Sequence, residues 1–158
     1  MRSEQEVNDA IERYADMVRR ICMVHLKNHA DTEDIFQTVF LRYALSGTEF
    51  DSAEHERAWL IRVTLNACRD LLRSVMRRRT VSLDEALECA TELPPEHAEV
   101  LEAVLALPRR YRDAVYLHYY EGYSAADTAR ILRRNVNTVY TLLSRARQLL
   151  SQRLGGDL

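Results

Sequence analysis

Glycine occurs four times and proline three times in 158 residues, the three cysteines stand far apart, and no run of about 18 uncharged apolar residues exists. Each shortage excludes a class of protein. A β-rich fold needs frequent turns, and Gly and Pro supply most of them, so their scarcity favours long helices with few breaks. Cys22, Cys68 and Cys89 are odd in number and widely spaced, which makes no disulfide framework and fits a reducing compartment. No membrane span is expected. The opening MRSEQEVNDAIERY is acidic and amphipathic and lacks the apolar centre of a signal peptide, so the cytoplasm is the expected location. A Gly-rich phosphate loop, GxSxG and HExxH are all missing. No enzyme activity and no cofactor are expected.

What is present is helix-forming and sharply partitioned in charge. The net charge of −2 hides an alternation. Residues 1–56 carry 6 basic and 12 acidic side chains, 57–80 carry 7 arginines and one acid, 81–99 carry six acids and no base, and 100–158 carry 9 arginines and 5 acids. Two separate basic surfaces follow, and basic surfaces are what phosphates see.

Apolar residues recur at helical spacing. Val7, Ile11, Tyr14, Val18, Ile21 and His25 share one face of a first helix. Asp31-Thr32-Glu33-Asp34 opens a second, with acids at the positive end of its dipole, and Ile35, Phe36, Val39, Phe40 and Tyr43 form its apolar face. Ser46-Gly47-Thr48 ends it. A third helix, from about 53 to 78, has two apolar rows, Leu60-Val63-Ala67-Leu71 and Ile61-Leu65-Cys68-Leu72. Opposite them Arg62, Asn66, Arg69 and Arg73 form a cationic stripe, and Arg77-Arg78-Arg79 follows. Residues 80–97, acidic and containing Pro94-Pro95, read as a linker; Val81-Ser82-Leu83 could lie extended, and Asp84 to Cys89 could form a short helical turn. Beyond it, a short helix with Val100, Leu101, Val104 and Leu105 stops at Pro108, and a second row, Tyr111, Val115, His118 and Tyr119, ends at Gly122. Ser124 caps SAADTARILRR, and after the turn Arg134-Asn135-Val136-Asn137 a last helix carries Val139, Leu142, Leu143, Ala146 and Leu150. The expected architecture is all-α: two small helical domains, 1–79 and 98–158, joined by the acidic linker 80–97.

Residues 124–147 have the layout of a helix-turn-helix, with small Ala129 allowing close approach of the two helices. Asn135 or Asn137 caps the second helix, whose outward Asn137, Thr138, Tyr140 and Thr141 are hydrogen-bonding groups suited to base edges or phosphates, with Arg145 and Arg147 as phosphate anchors. The bland alternative is a helical hairpin with a solvated face. Arg62, Asn66, Arg69 and Arg73, with Trp59 nearby, suggest a second nucleic-acid surface. Its bland alternative pairs Arg62 and Arg69 with acids of the first two helices. Cys22, His25 and His29 would present three metal donors on one helix face, but no fourth ligand has a familiar spacing and His25 continues the apolar row, so no metal is expected.

Taken together, DTEDIFQTVFLRYA (31–44), AWLIRVTLNACRDLLR (58–73) and LPRRYRDAVYLHYYEGYSAADTARILRRNVNTVYTLLSRARQLL (107–150) resemble, in order, three segments of the extracytoplasmic-function (ECF) sigma factors of bacterial RNA polymerase. The resemblance implies that Asp34, Gln37, Phe40 and Arg42 lie on a helix gripping core RNA polymerase. It implies that Trp59, Arg62, Asn66 and Arg69 lie near the melted promoter strand, and that Thr138, Val139, Arg145 and Arg147 belong to the helix entering the duplex upstream. It also implies an anti-sigma protein as a partner. The acidic linker, repelled by DNA, would be free to thread a basic polymerase channel. The chain departs from the family pattern at Thr38, where an acid is common, and at Arg133, where Gly is common. It departs again at Tyr140 and Leu142, where Lys and Arg are common; loss of those two cations is expected to weaken upstream recognition. The rivals to a promoter-opening factor are an autonomous helix-turn-helix regulator and a sigma-like interaction protein that does not itself open promoters.

Overall fold

A computed structural model describes residues 1–76 and 98–155. The expected linker at 80–97 and the run Arg77-Arg78-Arg79 lie outside the described residues. The chain separates into two compact units, Met1–Glu92 and Leu93–Leu158, and every regular element among the described residues is helical.

The first unit holds α1 (Glu4–Leu26), α2 (His29–Leu45) and α3 (Ala53–Met76). Ser3 starts α1 by accepting the Glu6 amide at 3.1 Å, with Glu4 and Glu6 at the positive end of the dipole. Lys27 stops it in the left-handed conformation (φ 58), its amide closing onto the Met23 carbonyl. Asn28 then caps α2 by accepting the Asp31 amide at 2.9 Å. α2 therefore begins earlier than its acids suggest, and a two-residue turn folds it back on α1. Arg2 pins the other end: its amide reaches Ala44 O at 2.9 Å and its Nε reaches Tyr43 O at 3.1 Å, donors placed where the end of α2 leaves carbonyls open.

α3 packs on both helices. Val18, Ile21 and Cys22 of α1, Val39 of α2, and Leu60, Ile61, Thr64 and Cys68 of α3 have no exposed surface. Thr64 is tolerated there because its hydroxyl donates to Leu60 O at 2.7 Å. Val63, Leu71 and Leu72, expected in the apolar rows, are only half-buried.

The second unit holds α4 (Ala98–Leu105), α5 (Arg109–Val115), α6 (Ala125–Leu132) and α7 (Val136–Leu154). A π turn at Tyr116–Tyr120 extends α5, with the Glu121 amide on Tyr116 O, and Gly122 (φ +77) ends it. This turn displaces the expected row: Tyr116 and Leu117 go inward at 2% and 0% exposure, while Tyr119 lies 50% exposed. A wider turn carries each following side chain to a different azimuth than 3.6-residue periodicity assigns it.

Ser124 accepts the Asp127 amide to begin α6. Arg133 takes the left-handed conformation (φ 55, ψ 47), the Arg134 amide returns to Ala129 O at 2.9 Å, and Asn135 caps α7 by accepting the Asn137 amide at 2.8 Å. Ala125 and Ala129 let α6 lie close to α7, whose Val139, Leu142, Leu143, Ala146 and Leu150 fill the core with Val104, Leu107, Tyr111 and Val115. A residue with a Cβ is strained at the φ of Arg133 and glycine is not. Arg133→Gly is therefore expected to raise unfolding stability by about 1 kcal/mol, offset in part by a freer unfolded chain, read as a higher urea midpoint.

Candidate nucleic-acid interface

Trp59, Arg62, Asn66, Arg69 and Arg73 follow one another at steps of three, four, three and four, which places them along one side of α3. Asn66 and Arg73 are exposed, and Arg62 and Arg69 are half-buried. Two acids of this unit, one on α2 and one on α3 itself, have partners of their own. Glu33 pairs with Arg19 at 3.1 Å, and Glu56 faces Arg13 at 3.4 Å while accepting the Tyr43 hydroxyl at 2.7 Å. Arg69 lies 3.6 Å from Asp70 of its own helix, and its buried Nε makes no hydrogen bond. For Arg69, then, the alternative of an ion pair with α1 or α2 gives way to a guanidinium with donors left to satisfy.

Trp59 ends this stripe inside a group of rings. It meets Tyr43 edge-on at 6.1 Å and Phe50 at 5.8 Å, Tyr43 and Phe50 lie parallel, and the Arg2 guanidinium sits 4.5 Å from the Tyr43 ring centre and 4.9 Å from that of Phe50. The indole is half-buried and its orientation is set by these neighbours. Burial, and then the hydrogen bond to Glu56, push the Tyr43 phenol up to about 12.

On α2, Asp34, Gln37 and Arg42 are exposed, but Phe40 is 5% exposed and packs on Phe36 with ring centres 4.8 Å apart. The structure thus places Phe40 on the core side, away from the other three. Two residues that the sequence reading missed stand beside Gln37: Leu41 and Leu45 are each 60% exposed, at successive four-residue steps from it. Their signal was available, since both fall outside the row Ile35-Phe36-Val39-Phe40-Tyr43.

Asn137, Thr138, Tyr140, Thr141, Arg145 and Arg147 are all exposed on α7. At 100° per residue, Asn137 and Thr141 lie on its outermost line, Thr138 and Arg145 on one shoulder, and Tyr140 and Arg147 on the other. Leu142 does not belong to this surface. It is 9% exposed and part of the core, so the expected weakening through loss of a cation there is corrected; the departure that reaches the surface is Tyr140, 58% exposed.

The three-donor grouping Cys22, His25 and His29 also comes apart. His29 belongs to α2, beyond the Lys27 turn, while Cys22 is fully buried with its sulfur 3.9 Å from that of Cys68. His25 is buried and its Nδ1 donates to Ile21 O at 2.8 Å. Among the described residues no cluster of His, Cys, Asp and Glu is placed to hold a metal ion, and no helix is long and apolar enough to cross a membrane.

Comparison with known proteins gives a consistent picture. The family described as Sigma-70 region 2 matches residues 10–80, and Sigma-70, region 4 matches residues 97–150. The ECF RNA polymerase sigma factor SigM of Mycobacterium tuberculosis is 30% identical over 145 residues, covering 90% of this chain and 74% of that protein. The RNA polymerase sigma factor SigV of Bacillus subtilis is 30% identical over 135 residues, covering 83% of this chain and 80% of that protein. Among solved structures, the sigma factor RpoE of Bartonella quintana, crystallised with the anti-sigma factor NepR, aligns with a TM-score of 0.75 at 20% identity. That alignment covers 98% of this chain and 99% of RpoE and carries the likeness of fold.

The Tyr43 phenol gives a pH test of the ring cluster. Its folded pKa, about 12, stands above the value of about 10 expected in the unfolded chain. Its contribution to stability is therefore complete below about pH 10 and lost as pH rises from there to about 12. Tyr43→Phe is expected to flatten this alkaline limb in urea midpoints measured between pH 8 and pH 12. An unchanged limb would remove the Tyr43–Glu56 hydrogen bond from the account.

Proposed function

The chain belongs to the ECF sigma factors, proteins of transcription initiation, and from that membership we propose how its surfaces divide the work of bringing RNA polymerase to a promoter. The outward side of α2 holds core RNA polymerase through Asp34, Gln37 and Arg42, with Leu41 and Leu45 supplying apolar contact that Phe40, turned inward, does not. The cationic side of α3 takes the melted promoter strand. Arg62, Arg69 and Arg73 neutralise backbone phosphates, Asn66 offers hydrogen bonds to an unpaired base, and Trp59 presents its exposed part to the same strand. Holding an extruded base offsets an unstacking cost of a few kcal/mol. The exposed side of α7 enters the upstream duplex with Asn137, Thr138, Tyr140 and Thr141 towards the groove and Arg145 and Arg147 towards its two walls.

The observation that carries this reading is the cationic stripe of α3. A helix whose other side is sealed in the core carries, on its solvent-facing side among the described residues, three arginines and one asparagine against a single acid, Asp70, with a half-buried tryptophan at the end of the row. In this reading residues 1–79 bind polymerase and the melted strand, 98–158 bind the upstream duplex, and 80–97 tether them. Two weak DNA sites on one tether gain affinity by effective concentration. The factor does no bond-making of its own; the nucleotidyl transfer is the polymerase's. The cytoplasm is its place of action. Because RpoE was crystallised with the anti-sigma factor NepR, an anti-sigma protein is proposed as the regulator here as well.

The test is run-off transcription with core polymerase on a randomised promoter pool, followed by permanganate footprinting on selected promoters. Transcripts that require the added chain are expected. Arg62→Ala with Arg69→Ala is expected to lower open-complex formation roughly 10- to 30-fold, on the order of 1 kcal/mol per charge-assisted contact. Upstream duplex protection should persist. An autonomous regulator would instead protect duplex DNA without polymerase and yield no transcript.

A further inference from the structure

Beyond the roles already given stand the buried Cys22–Cys68 pair, the exposed tyrosines of the π turn, and the meeting of Arg110, outside the helix-turn-helix, with Arg145 of α7 at Tyr111. Tyr111 is 7% exposed, its ring packed in the core of the second unit and its hydroxyl beside an arginine. Arg110 of α5 donates from Nη2 to that hydroxyl at 3.2 Å, with its guanidinium 4.9 Å from the ring centre. Arg145 stands on α7 between Leu142 and Ala146, which share a core cluster with Tyr111, and its charge acts on the same hydroxyl. Two guanidiniums from two helices therefore converge on one neutral acceptor.

Nearby arginines are treated differently. Arg109 faces Asp113 at 3.8 Å, and Arg130 pairs with Asp127. Among the described residues Arg110 and Arg145 have no carboxylate partner. Two like charges held side by side repel, and the repulsion is relieved when an anion with several acceptor oxygens binds between them. The phenol registers the same field: the hydrogen bond from Arg110 draws its pKa down, burial opposes this, and Arg145 adds to the lowering.

Position selects the anion. Arg145 lies seven residues, two helical turns, beyond Thr138 on the same shoulder of α7. A helix lying in a major groove has one phosphate backbone along each shoulder. The geometry points to a phosphate clamp: Arg110 and Arg145, gathered by the Tyr111 hydroxyl, grip one backbone phosphate of the upstream duplex on the Thr138 side. Tyr111 is its positioning residue, and Arg110 a DNA contact contributed from outside the helix-turn-helix. The clamp rests on the reading that the second unit holds upstream duplex.

The experiment uses the full chain and duplexes selected from the randomised pool with holoenzyme, with affinity measured from 50 to 200 mM salt. Each phosphate contact contributes about 0.9 to the logarithmic salt slope. Arg110→Ala is expected to lower that slope by about one contact, so that wild type loses about 3-fold more affinity than the variant across this range. Base preference should be unchanged. Tyr111→Phe, which keeps the ring and its packing, is expected to lower the slope in the same direction at an unchanged melting temperature, a readout that a purely structural role would not move. Arg109→Ala, paired internally, should match wild type. A wild-type slope in Arg110→Ala overturns the clamp while leaving upstream binding intact. Failure of the wild-type chain to bind any duplex, alone or in holoenzyme, overturns the upstream-binding reading and the clamp with it.

Discussion

α3 is sealed against α1 and α2 by Leu60, Ile61, Thr64 and Cys68, which meet Val18, Ile21, Cys22 and Val39 with no surface left exposed. Full burial of an aliphatic side chain is worth roughly 1.5–3 kcal/mol, so this layer dominates the first unit. It also sets the azimuth of α3, because a rotation by one residue would bring a cation into the layer and an apolar residue out of it. The stripe from Trp59 to Arg73 faces outward as a consequence of what the opposite side buries. The nucleic-acid binding proposed for this unit therefore depends on a packing constraint.

The second unit repeats the logic with different hardware. α7 buries Val139, Leu142, Leu143, Ala146 and Leu150, which leaves Asn137 and Thr141 on its outermost line. Its entry angle is set by the turn between Leu132 and Val136, where Arg133 accepts a left-handed backbone and the Arg134 amide satisfies Ala129 O. Ala125 and Ala129 let α6 approach closely enough for that turn to close. A recognition helix needs this rigidity, since hydrogen bonds to base edges are lost with displacements of a fraction of an ångström.

Around these two cores, polar groups do the aligning. Arg2 holds the end of α2 through two hydrogen bonds and lies over Tyr43 and Phe50, while Glu56 holds Tyr43 from the start of α3. The rings that position Trp59 are thus tied to three segments of chain. In the second unit the Tyr111 hydroxyl is the meeting point of α5 and α7. In both places an aromatic body sits in the core and a polar tip organises the surface above it.

Much was legible in the sequence. Helical class, the caps at Ser124 and Asn135, the stripe of α3 and the outward set on α7 follow from local rules: 3.6-residue periodicity, capping chemistry and charge separation act over a few residues and are written along the chain; the family was legible only through the resemblance of three segments to known sigma factors. Tertiary structure decided the rest. Phe40 and Leu142 turned inward because a helix face belongs to whatever packs on it. His29 left the company of Cys22 because Lys27 takes a left-handed φ, and Tyr119 left its row because a π turn changes the period midway. Arg110 and Arg145 are 35 residues apart and meet only when α5 packs on α7. Periodicity assigns a side chain to a side of its own helix; which neighbour that side meets depends on contacts between residues distant in sequence, which a single chain's local pattern does not encode.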